Sequence, residues 1–251
     1  MHTNTQALTP TALLAVDVVV FTLRPAPVED AWQALLVPRS DTTEPADVPG
    51  RSGSRYALPG VVVDSSETFD AAARRALSAK AGLDARDWYL EQLATFGNPT
   101  RDSRARVASV AHIALVRGDD LAFHELVGGA PAEWWPVASI PWDDLAFDHA
   151  SILREAINRV KGKVRYAWVL FQLLPDVFTM SELRAAYAAI RDPGVMHLST
   201  SNVRKLFRRL IERGALVPVG ERAEAHGRGR PGDLFRFRGP LTGTWARELP
   251  W

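Results

Sequence analysis

The stretch Leu58-Pro-Gly-Val-Val-Val-Asp-Ser-Ser-Glu-Thr-Phe-Asp-Ala-Ala-Ala-Arg-Arg-Ala-Leu-Ser-Ala-Lys-Ala-Gly-Leu83 decides the fold of the first half of the chain. Thr68 is placed to cap a helix, Phe69, Ala72, Ala73, Ala76 and Leu77 recur at helical spacing, and Gly82 is a natural C-terminal stop. Loop, helix and loop are therefore expected in that order. Outward from it lie β-branched runs, Ala15 to Leu23, Trp32 to Val37 and Arg106 to Val116, which read as central strands. The polar, Pro/Gly/Ser-rich segment from Ser40 to Ser54 reads as a mobile surface loop without a function of its own. A Pro- and Trp-rich stretch, Pro131 to Trp142, closes this half, and helical text follows from Asp148 to Val160.

The same segment resembles the Nudix box, with Leu58, Pro59, Gly60, Glu67, Ala73, Arg75, Leu77, Gly82 and Leu83 on the family's positions. The family holds a divalent metal on helix glutamates, because Mg²⁺ needs hard oxygen ligands to bridge a diphosphate and orient water. At three of those positions this chain has Ala76, Ala79 and Lys80, and Val61 replaces a family glycine. An ammonium at Lys80 repels a cation, and Glu67 alone makes a poor metal site. The resemblance thus implies the frame of a hydrolase without its catalysis, the helix persisting as core packing through Phe69, Ala73 and Leu77.

Beside the box, Glu91-Gln-Leu-Ala-Thr-Phe-Gly-Asn-Pro-Thr-Arg-Asp-Ser-Arg-Ala-Arg-Val107 resembles a subgroup of Nudix proteins that includes the Nudix-related transcriptional regulators of NAD metabolism (NrtR-type). Arg101, Arg104 and Arg106 supply forked donors suited to pyrophosphate oxygens, and Phe96 offers a face to an adenine or ribose. With Asp102 these are the candidate effector-binding residues. Pairing of Arg101 with Asp102 or with surface carboxylates is the competing reading.

The second half changes character. Phe178 to Ile190 reads as a helix, Asp192-Pro-Gly194 as a turn, Leu198 to Gly214 as a second helix, and Ala215 to Val219 and Leu234 to Arg238 as a two-stranded wing, the order of a winged helix-turn-helix. Leu198, Val203, Leu206, Phe207, Leu210 and Ile211 share one stripe, leaving a basic remainder. Ser199 or Thr200 can cap the helix. Thr200, Ser201, Asn202 and Arg204 are expected to face base edges, since Asn matches adenine and Arg guanine in the major groove. Lys205 and Arg208 suit phosphates, and Arg228 and Arg230, freed by glycines in the wing loop, suit a backbone or minor groove. The regulator family likewise ends in Gly229-Arg-Pro231 and the aromatic Phe235-Arg-Phe237, and it also resembles this chain over Leu145-Ala-Phe-Asp-His149.

Charge agrees with this division. The whole chain, 251 residues with 30 Lys and Arg against 29 Asp and Glu, is nearly neutral. Residues 1–150 carry 12 against 20, a net −8, and residues 151–251 carry 18 against 9, a net +9. A basic C-terminal half points to a polyanion as its partner. The absence of cysteine removes disulfides, thiolate zinc sites and Cys nucleophiles. No apolar run reaches the roughly 18 to 20 residues of a membrane span, and the N-terminus lacks a basic signal region, so a cytoplasmic address is expected.

The expected protein is α+β: an N-terminal Nudix-like α/β/α sandwich with a mixed sheet, followed by a C-terminal winged helix-turn-helix. The expected boundaries are a flexible N-terminus over 1–10, an effector-sensing domain over 11–145, a connecting helix over 146–163, a DNA-binding domain over 164–240 and a tail over 241–251. What the resemblance implies is a repressor of NAD synthesis or salvage genes that is not an enzyme, needs no cofactor, senses ADP-ribose or a related nucleotide and binds a double-stranded operator as a homodimer. The alternative is a Nudix hydrolase of ADP-ribose or another nucleoside diphosphate derivative.

Overall fold

The computed structural model describes residues 12–39, 54–83, 88–118, 132–164, 168–191, 200–223 and 232–239. Most of the expected 40–54 loop, the turn through Asp192-Pro-Gly194, Leu198, Ser199, Arg228, Arg230, and the 1–10 and 241–251 termini lie outside the described residues.

The first half builds one mixed sheet from β1 (Leu13–Leu23), β2 (Trp32–Pro38), β3 (Tyr56–Ala57), β4 (Gly60–Val62), β5 (Tyr89–Phe96), β6 (Val107–Val116) and β7 (Glu133–Pro136). The strand order is β3-β2-β1-β6-β5, with β4 added to β1 and β7 to β2. β1 and β6 run parallel, and the remaining pairs are antiparallel. Both faces of β1 and β6 are covered, which is why they read as continuous apolar runs rather than alternating ones.

The two covering helices are α2 (Phe69–Ala81) and α3 (His149–Lys163). Val16, Val18 and Val20 of β1 join Ala72, Ala73, Ala76 and Leu77 of α2 in one core. Val19 and Phe21, pointing the other way, join Ile152, Leu153 and Ala156 of α3 in the second. Sheet between helices is the α/β/α sandwich. α2 begins where Thr68 Oγ1 accepts the Ala71 N–H at 3.2 Å and ends at Gly82, whose φ of 64° is the left-handed stop that glycine adopts without strain. Phe69, expected in the core, is 37% exposed: it sits in the first turn, ahead of the alanines that meet the sheet.

α3 is fastened along its length. Arg159 and Lys163 both pair with Glu91 of β5, Arg159 Nη1 at 3.3 Å. Burial pushes the Glu91 carboxyl up, but hydrogen bonds from Lys163 and Tyr89 outweigh it and hold it below the ordinary glutamate range.

Beyond α3, β8 (Val177–Thr179), α4 (Met180–Ile190), α5 (Thr200–Glu212), β9 (Leu216–Arg222) and β10 (Asp233–Phe237) form a helix pair with a three-stranded sheet ordered β8-β10-β9. The helical text predicted from Phe178 starts two residues later, because Thr179 is a cap. Its Oγ1 accepts the Glu182 N–H at 3.2 Å, while Glu182 Oε2 accepts the Thr179 N–H at 2.6 Å, a reciprocal capping box. Phe178 is thereby free to pair with Phe235 across β8 and β10. Phe171 stacks on Phe237 at 4.2 Å between centroids, and Phe207 meets Phe235 edge-on at 5.1 Å. The core on the α3 side continues without interruption from Val19 to Leu216, and a single helical turn, α1 (Val28–Ala31), lies against α4. No helix among the described residues is long and apolar enough to cross a membrane.

Candidate ligand cavity and nucleic-acid interface

A cavity of about 570 Å³ opens where β1, β2 and β4 meet the 101–107 segment, the last turn of α2 and the start of α3. Its floor is a buried ionic network. Asp17 is a carboxylate in the middle of an apolar strand, a placement that physical chemistry tolerates only with partners. Arg101 Nη2 lies 2.9 Å from Asp17 Oδ2 and 2.8 Å from Asp148 Oδ1, and the Ser109 hydroxyl donates to Asp17 Oδ2 at 2.7 Å. His149 Nδ1 accepts the Leu58 N–H at 2.9 Å, which leaves the ring proton on Nε2, 3.4 Å from Asp17 Oδ1. Arg101 is the permanent cation beside Asp17. Burial pushes the Asp17 carboxyl up; His149, Ser109 and Arg101 together outweigh it and hold it down at about 2.

Gly60 explains why the box needs a glycine there: a Cβ would run into Asp17 Oδ1 and come within 3.1 Å of the Val16 carbonyl oxygen. Asp148 stands at the N-cap of α3 yet makes no capping bond, because Arg101 occupies its carboxylate through both Nε and Nη2. The next wall residue, Phe147, has φ of 55°, a conformation that costs a bulky side chain on the order of 1–3 kcal/mol and persists only where the surroundings impose it. Arg39 and Arg104 lie over its ring at 5.1 and 5.2 Å from the centroid. Each such pair is worth about 0.5–1 kcal/mol at a partly exposed site.

Of the candidate effector residues, Arg101, Asp102 and Arg104 line the cavity, whereas Phe96 and Arg106 are not in its wall. Phe96 packs half-buried against the core on the α3 side, and Arg106 donates to the Gly97 carbonyl at 2.9 Å. Arg101 pairs with Asp17 and Asp148 rather than Asp102; Asp102 instead takes two bonds from Arg104, Nε at 3.0 Å and Nη2 at 2.9 Å, which hold its carboxyl below the usual range. The aromatic in the wall is Phe147, which sequence reasoning noticed only within a family-like phrase. Asp17, a lone acid inside Ala15 to Leu23, was the signal that a buried partner had to exist.

Glu67, on the box's retained glutamate position, is engaged through both oxygens. Oε1 accepts the Asp64 N–H at 2.8 Å as well as Arg75 Nη2, and Oε2 accepts Arg75 Nε at 3.1 Å. Lys80 stands exposed in the cavity wall with no hydrogen bond or ion pair among the described residues.

In the second half, α5 buries Leu206, Phe207 and Leu210 and leaves Ser201, Arg204, Lys205, Arg208 and Arg209 exposed. Arg204, Lys205 and Arg208 have no partner among the described residues. Ile211, expected on the packing stripe, is 38% exposed at the helix's far end. The side chains of Thr200, Asn202 and Val203 lie outside the described residues.

Residues 170–237, the helix pair and wing, match the family described as NrtR DNA-binding winged helix domain. Over 231 residues the chain is 31% identical to the ADPR responsive transcriptional repressor NtrR of Acinetobacter baylyi, covering 91% of this chain and 83% of that protein. The chain belongs to the NrtR family. A solved NrtR from Shewanella oneidensis, complexed with a 27mer DNA, is similar with a TM-score of 0.68 at 27% identity over 90% of this chain and 93% of that one. An ADP-ribose pyrophosphatase of Methanocaldococcus jannaschii is 32% identical over 107 residues, 43% of this chain and 60% of that protein. The NrtR architecture, Nudix domain followed by winged helix, accounts for both halves described above.

Proposed function

We propose that this chain is a DNA-binding transcriptional repressor of NAD synthesis or salvage genes, and that its Nudix domain senses ADP-ribose or a related nucleotide rather than hydrolysing it. The observation that carries the DNA reading is the face of α5, where Arg204, Lys205 and Arg208 stand exposed, without a partner among the described residues, above a buried Leu206, Phe207 and Leu210. Cations without a carboxylate partner among the described residues suit phosphate oxygens and guanine edges. Ser201 stands exposed on the same helix's first turn, with Thr200 and Asn202 beside it in sequence, and Arg228 and Arg230, outside the described residues, are proposed as further contacts on the strength of their sequence alone. A homodimer doubles the contact set on a two-fold operator, as one winged helix reads a short half-site. The reading places the protein in the cytoplasm.

The sensor reading is supported by the cavity's chemistry. Arg104, lying over the Phe147 ring, brings a guanidinium and an aromatic ring together in the cavity wall, groups suited to a pyrophosphate next to a base or ribose. Hydrolysis needs carboxylates for Mg²⁺, and the residues present do not fit: Glu67 is held by Arg75, Ala76 is buried against the sheet, and Ala79 and Lys80 supply no oxygen ligand. Communication between the two sites runs through Arg101, which grips the cavity floor at Asp17 and the N-cap of the connecting helix α3 at Asp148. An effector that shifts Arg101 shifts α3 and the head that follows it.

Fluorescence anisotropy with a labelled duplex from the gene's own upstream region tests the DNA reading. Affinity should fall steeply with salt, because each phosphate contact releases counterions. A salt-independent signal, or none at all, removes the proposal.

A further inference from the structure

We propose that the cavity takes its nucleotide without a divalent cation, the Lys80 ammonium supplying the positive charge that a metal ion supplies in Nudix hydrolases. The inference rests on the sensor reading above and adds to it the way the diphosphate is neutralised.

Three observations lead there. The oxygen donors that a hard cation needs are already engaged: both Glu67 oxygens accept from Arg75, Asp17 Oδ2 accepts from Arg101 and Ser109 while Oδ1 faces His149 Nε2 at 3.4 Å, and both Asp102 oxygens accept from Arg104. A metal entering would have to share these carboxylates with the groups that already hold them, and they fall short of the near-octahedral set that Mg²⁺ demands. Among the described residues of the wall, the cations Arg39, Lys80, Arg101 and Arg104 outnumber the acids Asp17 and Asp102, so the local field repels a cation and attracts an anion. Lys80 differs from the three arginines. Arg101 is buried in the floor network, Arg39 and Arg104 lie over Phe147, and Lys80 alone of the four has no partner among the described residues. It sits on the last turn of α2, at the position where the Nudix box carries a glutamate, so the same backbone that would deliver a metal ligand delivers a compact ammonium instead. A diphosphate oxygen is the partner it is built to find, since lysine binds phosphate as a point charge without needing bidentate geometry.

Isothermal titration of ADP-ribose into the full-length protein, once in EDTA and once in excess MgCl₂, tests this. The wild-type Kd should agree between the two buffers within about twofold. Lys80→Ala should raise Kd roughly tenfold or more in both, the equivalent of one lost hydrogen bond to a charged group, and Lys80→Glu should raise it further in EDTA. Lys80 is exposed, so unchanged melting temperatures are expected for both variants. Binding by the wild type only with Mg²⁺ overturns the inference and leaves the sensor reading standing. A Lys80→Ala Kd within about twofold of wild type also overturns it. Absence of binding by the wild type in both buffers removes the sensor reading, and this inference with it.

Discussion

Replacing Arg101 with methionine should destabilise the protein by about 3–5 kcal/mol, the range for breaking a buried ion pair by removing one partner. The structure puts this case inside that range. The Arg101 side chain is 4% exposed and bridges carboxylates whose side chains are 9% and 19% exposed, so water cannot take its place cheaply. Asp17 sets a second scale. Its folded carboxyl is lowered from 3.8 to about 2, and a depressed acid contributes stability that is complete above the unfolded value and is lost as pH falls through the folded one; this one contributes about 2 kcal/mol at neutral pH. Without Arg101 one of the groups that hold the Asp17 carboxyl down is gone, so the carboxyl rises and the contribution shrinks. The deficit of Arg101→Met should therefore be largest near neutral pH and narrow on acidification, as Asp17 takes up a proton and its unpaired charge vanishes. Urea denaturation of wild type and variant from pH 7 down to the acid limit of folding measures it. Adding Asp17→Asn to the Arg101→Met background should recover part of the loss at neutral pH, because it removes the orphaned charge while keeping an acceptor for Ser109. A neutral-pH deficit under about 1 kcal/mol, or one that does not change with pH, would refute the assignment of Arg101 as the ionic hub of the floor.

Further outcomes follow from the same geometry. Phe147→Gly should leave the melting temperature close to wild type, because relief of the left-handed strain offsets the lost ring contacts; ADP-ribose affinity measured by titration should nonetheless fall about tenfold or more if the ring faces the nucleotide. Thr179→Ala should cost roughly 1 kcal/mol in thermal or urea unfolding through loss of the α4 capping box. Lys205→Ala with Arg208→Ala should weaken DNA binding uniformly across sequences and reduce the slope of log affinity against log salt by about 2, read by anisotropy at several salt concentrations.

The parts of the fold legible in the sequence are those whose signal is local. β1 and β6 announce themselves as apolar runs buried on both faces, and α2 is bracketed by Thr68 and Gly82. β8 was hidden because Val177 and Phe178 merge into the text of α4, and only the cap at Thr179 separates them. β4 and β7 are three and four residues long, and their strand character comes from pairing with β1 and β2, not from their own composition. β5 lacks period-two alternation in its own sequence, and its register with β6 shifts between Gln92 and Ala94, so its strand character comes from that pairing. The site was legible in one part and opaque in another. Arg101 and Arg104 stood out by type and spacing, but the partners that decide their roles, Asp17, 84 residues away from Arg101, and Asp148, 47 away, are set by tertiary folding alone. Phe96 drew attention by standing in the motif, whereas Phe147 reaches the wall because a φ of 55° at the head of α3 turns it there. In the second half the basic face of α5 was readable from helical periodicity, with Ile211 misplaced because the stripe runs off the end of the packed surface.

The decisive measurement is the affinity of the full-length protein for duplex DNA from its own upstream region, by anisotropy at fixed salt, with and without saturating ADP-ribose. A sensor coupled to its reading head through Arg101 and α3 should shift Kd by about fivefold or more, the scale of an ordinary coupling energy. DNA affinity that does not move, in a protein shown by titration to bind ADP-ribose, would contradict a cavity and a reading head working as one switch.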